Sequence, residues 1–187
     1  MSDGRAGGTR RWAPAWLWLA AYVVAVQVST PFTAGVAARL GSSPAGRAVL
    51  VAAPVTILGV LAALVVRGLS WAALRATVPA WGVIAGLYLA VWLLLCQRPI
   101  EGVHLAQYAV MSCLAYRALG ETLPRRRAYA AAGGLVVATS WASELFQAVL
   151  PDRVYDLRDV ALDAIGGLFG LALVWQSERS VLVSASR

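Results

Sequence analysis

Long apolar runs are the feature that most limits what this chain can fold into. A helix that crosses the hydrocarbon core of a bilayer needs about 20 predominantly apolar residues. Six stretches approach that length: Trp12 to about Thr30, Ala48 to Val66, Pro79 to Cys96, Gly102 to Leu119, Ala128 to Leu150, and Val160 to Gln176. Composition points the same way. Hydrophobic residues make up 60% of the chain and charged residues 13%, whereas a soluble domain usually carries about 25% charge. The expected fold is all-α, a polytopic transmembrane helix bundle of about six helices forming a single membrane domain over residues 1–187. The gaps between runs are too short for a separate soluble domain. The fourth and sixth runs are among the shortest and carry polar residues, so neighbouring helices rather than lipid should cover them.

The net charge of +7 comes entirely from arginine, because the chain has no lysine. These arginines sit in short gaps and at the termini, without the interleaved aromatics of a nucleic-acid-binding strip, so no nucleic acid partner is expected. Their distribution instead sets an orientation. Arg5, Arg10 and Arg11, then Arg67 and Arg75, then Arg117 with Arg125, Arg126 and Arg127, and finally Arg179 and Arg187 fall on one side. The excess of basic residues on that side marks it as cytoplasmic, with both termini inside. The first run follows three arginines, as a signal peptide would. It is longer than the ~7–15 apolar residues of a cleaved signal, and so reads as a retained anchor. Trp12, Trp16 and Trp18 suit a membrane interface, and membrane lipids are the first expected partner.

Punctuation agrees with the runs. Pro31 and Pro44 fall in the first gap, Pro99 opens the fourth run, Pro124 precedes the fifth and Pro151 follows it. Pro54 lies inside the second run and predicts a kink there. Gly166 and Gly170 have the spacing of a close helix–helix contact. Cys96 and Cys113 read as small buried hydrophobes, with no disulfide framework.

The acidic residues carry the chemical information. Asp3, Glu121 and Glu178 fall at the cytoplasmic ends. Glu101, Glu144, Asp152, Asp156, Asp159 and Asp163 all fall at or near the outer ends of the last three runs. An acid within a membrane helix costs about 2.5–3.5 kcal/mol at the bilayer centre on insertion scales, so it faces a wet cavity or a partner. Helical spacing puts Glu101, His104 and Tyr108 on one face, Glu144 and Gln147 on another, and Asp156, Asp159 and Asp163 on a third. At ~1.5 Å per residue, Glu144 lies about 9 Å and Asp163 about 6 Å below the helix ends, which predicts an outward-open polar pocket about 10 Å deep. Arg153 and Arg158 stand in the connecting turn. They could line that pocket or simply pair with Asp156, Asp159 and Glu144 to pin the loop. Ligand spacing gives no support for a metal site, and no cofactor is expected. Ser140 and Ser143 lack the setting of a nucleophile elbow.

These residues resemble the pattern of the VanZ-like membrane proteins, a family named for a teicoplanin-resistance protein. The family carries an acid-Lys-x-x-His-x-x-x-Tyr stretch, then Glu-x-x-Gln, then an Arg- and Asp-bearing loop leading to Asp-x-x-x-Asn-x-x-Gly-x-x-x-Gly. Here those elements read Glu101-Gly102-Val103-His104 with Tyr108, then Glu144-Leu145-Phe146-Gln147, then Arg153, Asp156, Asp159, Asp163, Gly166 and Gly170. The resemblance covers residues 98–170. Gly102 stands where the family has Lys and Asp163 where it has Asn, leaving Arg98 as the candidate to restore the missing charge. The resemblance implies a bacterial cell-membrane protein of the envelope, with a lipid-linked envelope precursor or a glycopeptide as ligand; it implies no reaction. Alternatives from the residues are a structural or assembly subunit with membrane-protein partners, and a small transporter. The latter calls for inverted repeats that the sequence does not show. General-base catalysis by Glu144 or His104 stays open.

Overall fold

A computed structural model describes residues 12–67, 69–149 and 155–185. Among them are six helices: α1 (Trp12–Gly41), α2 (Pro44–Val66), α3 (Trp71–Leu95), α4 (Pro99–Leu119), α5 (Arg125–Gln147) and α6 (Leu157–Ala185). The all-α expectation holds. Three helices, α1 to α3, are long and apolar enough to cross a membrane.

The helices do not share the bounds of the apolar runs: α1, α3 and α6 extend well beyond theirs, while α5 ends at Gln147, short of the expected Leu150. Helix α1 continues through Pro31 to Gly41. Along it, the hydroxyls of Ser29, Thr30 and Thr33 donate to carbonyls three or four residues back, within the helix, whereas Tyr22 and Gln27 donate to carbonyls of α4 and α5. Ser43 caps α2 by accepting from the Gly46 N–H at 3.0 Å, with Pro44 in the first turn, where proline's lack of an N–H costs nothing. Ser70 does the same for α3 through the Ala73 N–H, so α3 starts at Trp71 and Pro79 falls inside it. Pro54 is buried within α2, which is helical on both sides of it.

Helix α4 is the centre of the bundle, packing against α1, α2, α5 and α6, while α3 leans on α6. Its buried residues run round much of its circumference, including Leu105, Ala106, Ala109, Met111, Ala115 and Ala118. Small residues are what allow this. A Cβ at Gly166 would strike the Leu105 backbone, and one at Gly170 would strike the Ala109 carbonyl and the Ser112 hydroxyl. The predicted contact motif therefore lies at the seam between α6 and α4, where backbones approach too closely for any side chain. Cys113 joins the same seam, donating from Sγ to the Gly170 carbonyl at 3.3 Å, and both cysteines are free. By contrast, α1 to α3 turn large apolar side chains outward, among them Trp18, Phe32, Leu93 and Leu94. The polar fourth and sixth runs are thus enclosed, and the most apolar helices form the periphery.

Candidate functional site

At one end of the bundle meet the C-terminal ends of α1, α3 and α5 and the N-terminal ends of α2, α4 and α6. A cavity of about 600 Å³ opens there, lined by Thr33 and Gly41 of α1, Arg47 and Leu50 of α2, residues 97–101 and His104, Gln147, and Asp156, Arg158 and Asp159. Below it lies a much smaller void, lined by Tyr108, Ser143, Glu144 and Asp163, with His104 and Gln147 bordering both spaces. The structure therefore gathers Glu101, His104, Tyr108, Glu144, Gln147, Asp156, Asp159 and Asp163 at one place. Arg153 and Asp152 lie outside the described residues.

Each buried acid is held differently. Glu101, in the first turn of α4, accepts both guanidinium nitrogens of Arg158, at 3.0 and 3.1 Å, and the Gln97 N–H at 2.7 Å. The second Arg158 nitrogen also donates to the Leu95 carbonyl, tying the end of α3 to the start of α6. A two-pronged guanidinium–carboxylate pair fixes geometry as well as charge. The loop-pinning alternative is thus corrected in its partner: Arg158 ion-pairs with Glu101, and meets Asp156 through its backbone N–H.

Glu144, only 2% exposed, has no cation within ion-pair distance among the described residues. One of its oxygens accepts from Gln147 Nε2 at 2.8 Å and the other from the Asp156 N–H at 3.0 Å. The spacing of Glu144 and Gln147 on α5 thus serves the carboxylate directly, and the backbone entering α6 closes over it. Asp163 is equally buried. Its Oδ2 accepts from Ser140 at 2.6 Å, while Oδ1 has no hydrogen-bond partner and lies 3.5 Å from His104 Nδ1. Tyr108 OH meets Ser143 at 3.4 Å, and Ser143 donates to Gln27 of α1 at 3.0 Å. Asp159 faces the cavity one turn above Asp163.

Gln27, Ser140 and Ser143 were missed as members of the site. The two serines were legible in principle, since positions 140, 143, 144 and 147 step by three and four along one face of α5. Gln27 stands alone in the first apolar run, and nothing in its neighbourhood marks its direction. Gly102 also gains a reason: a Cβ there would strike the Trp92 indole, so a lysine cannot enter without displacing that ring. Arg98 lines the cavity and accepts the Glu101 N–H at its carbonyl, but its guanidinium makes no ion pair with Glu101, whose charge Arg158 already answers. Among the described residues, no group of three or more His, Cys, Asp or Glu is arranged to hold a metal ion.

No family model, curated protein or solved structure matches this chain.

Proposed function

We propose that this chain is a VanZ-like, multi-pass protein of a bacterial cell membrane, with six spans and both termini cytoplasmic. Its polar cavity faces outward and binds a lipid-linked envelope component or a glycopeptide. The observation that carries this reading is the cavity of about 600 Å³, large enough for a ligand-sized group, lined by acids, a histidine and arginines drawn from three helices and their turns. Polar groups of this kind are costly in a membrane bundle and concentrate where a ligand is handled. The arginine distribution supports the orientation, and the exposed Trp16, Trp18 and Trp71 at the opposite end suit an interfacial belt.

The test is a deletion strain complemented with the wild-type chain or with Glu144→Ala. Altered teicoplanin sensitivity or altered wall-precursor pools, restored by wild type and not by the variant, is expected. A deletion that changes neither overturns the reading. An assembly subunit is the alternative, resting on the broad apolar faces of α1 to α3. Purification in mild detergent that returns this chain with a stoichiometric partner favours it.

A further inference from the structure

His104 is the group in the cavity whose surroundings specify a chemical role. Its side chain is 28% exposed and its Nδ1 lies 3.5 Å from Asp163 Oδ1, an oxygen that is buried and otherwise without a partner. Ser140 fixes the other oxygen of the same carboxylate at 2.6 Å, so the carboxylate cannot turn away. An imidazole whose Nδ1–H faces a carboxylate carries its free lone pair on Nε2. No residue among those described hydrogen-bonds to Nε2, and the ring borders the large cavity.

The rim of the same cavity carries two cations without an ion-pair partner among the described residues. The Arg47 guanidinium donates to the Gly41 carbonyl, at 3.1 Å, and makes no ion pair among the described residues. Arg98, the residue before α4, makes no ion pair among the described residues. Arg158 differs, being bound to Glu101. Guanidinium groups match the oxygens of a phosphate in geometry and charge. The cavity also lies at the helix ends, the level at which lipid phosphodiesters sit in a bilayer.

We propose that His104, positioned by Asp163, is the general base in hydrolysis of a phosphodiester whose phosphate rests against Arg47 and Arg98. The proposal rests on the cavity being a ligand site, as argued above. A water oxygen bonds to phosphorus while its proton passes to His104 Nε2. The phosphorus–oxygen bond to the leaving group breaks, and the leaving oxygen takes that proton from the imidazolium. A phosphate monoester and an alcohol result, and the neutral imidazole is restored. His104 is the catalytic residue, and Asp163 is a positioning residue that acts through it.

The full chain, purified and placed in lipid nanodiscs, is assayed with bis(4-nitrophenyl) phosphate and with phosphatidylglycerol vesicles. Turnover of the vesicles assigns a lipid substrate, and turnover of the soluble diester alone assigns a free one. His104→Ala is expected to lower kcat about 10²–10⁴-fold, with partial recovery on adding imidazole, which a folding defect does not give. Asp163→Asn lowers kcat with KM unchanged, and Arg47→Gln with Arg98→Gln raises KM. Phosphatidylglycerol retention in native mass spectra separates the two claims. Retention that the arginine variants abolish, without turnover or with turnover indifferent to His104→Ala, overturns the catalytic role and leaves the binding site. Neither retention nor turnover overturns both.

Discussion

At the end of the bundle formed by the α4–α5 turn, Glu178 of α6 is met from three directions. Arg125 approaches it through Nε at 2.8 Å and a terminal nitrogen at 2.7 Å, Tyr129 donates at 3.0 Å, and Tyr116 donates to the other oxygen. The two tyrosine rings pack 4.4 Å apart, and Arg125 lies over the Tyr129 ring. At the opposite end, Glu144 is served by neutral donors, Asp163 keeps one oxygen unbonded, and Asp159 stands at an open cavity. Both ends use carboxylates on α6 or its neighbours. The Glu178 cluster is closed by one cation and two phenols, although Glu121 Oε2 in the neighbouring α4–α5 turn is buried without a hydrogen-bond partner, whereas the acids at the cavity keep spare capacity except where Arg158 pairs with Glu101. A saturated cluster is what stability alone would select. Unspent polar capacity beside a cavity is what a ligand requires, at some cost in stability.

Because both ends share one frame, the widest test strikes the frame. Gly170→Leu drives a side chain into the Ala109 carbonyl and Ser112. Overpacking typically costs about 1–3 kcal/mol and occasionally more, and a backbone contact leaves little room to relax. Monodisperse folded protein should fall to near background on fluorescence-detected size exclusion. A folded variant with both ends intact would remove the common frame from the comparison.

Next comes the closed end. Glu178→Ala takes the shared acceptor from the part-buried Tyr116 and Tyr129 while exposed Arg125 turns to solvent, and the lost tyrosine bonds should cost about 1–2 kcal/mol, read as a lower thermal midpoint, with ligand handling at the far end unchanged. If Glu178→Ala abolished that handling while the protein stayed folded, the division of labour would fail. The same cluster predicts a pH dependence. Glu178 lies just past the last apolar run. Burial pushes its carboxyl upward, but the hydrogen bonds from Tyr116, Arg125 and Tyr129 prevail and hold it below the usual carboxylate range. A group lowered in the folded state stabilises above its unfolded pKa, and that contribution is lost as pH falls through the folded value. The wild-type thermal midpoint should therefore drop on acidification through and below the ordinary carboxylate range. Glu178→Gln should show a shallower drop over the same interval.

The smallest expected stability effect belongs to the open end. Asp163→Asn keeps an oxygen for Ser140 and removes a buried charge, so the midpoint should move by no more than about 1 kcal/mol in either direction. Ligand-dependent function should fall all the same. A large loss of stability would mean that Asp163 belongs to the scaffold after all.

Much of this contrast is legible in the sequence, and the gaps are instructive. Helical spacing put Glu101 with His104, Glu144 with Gln147 and Asp159 with Asp163, because i, i+3 and i+4 positions share a face whatever the tertiary structure, and the position of all three faces at the outer ends of the last runs brought them to one end. The enclosure of the fourth and sixth runs followed from their polarity. Helix boundaries were not legible from apolar runs, since caps such as Ser43 and Ser70 end or start a helix regardless of hydropathy. Nor was the choice of partner for Arg158. Sequence proximity favoured Asp156 and Asp159, whereas the fold brings Glu101 within 3.0 Å from a different helix. Glu178 was placed at its end of the bundle, but its tyrosine partners stand about fifty and sixty residues away in sequence, a separation that no local pattern spans.

The seam at Gly166 and Gly170 has a consequence for how such a chain can drift in evolution. Where α1 to α3 meet an apolar surround, leucine, valine, isoleucine and phenylalanine exchange at little cost, so their order carries little information. Along α6, a single added methyl group forces the backbone of α4 aside. The fold's memory is therefore unevenly written. A distant relative should be recognised less by its long greasy helices than by two glycines four residues apart, and by the small residues opposite them on α4.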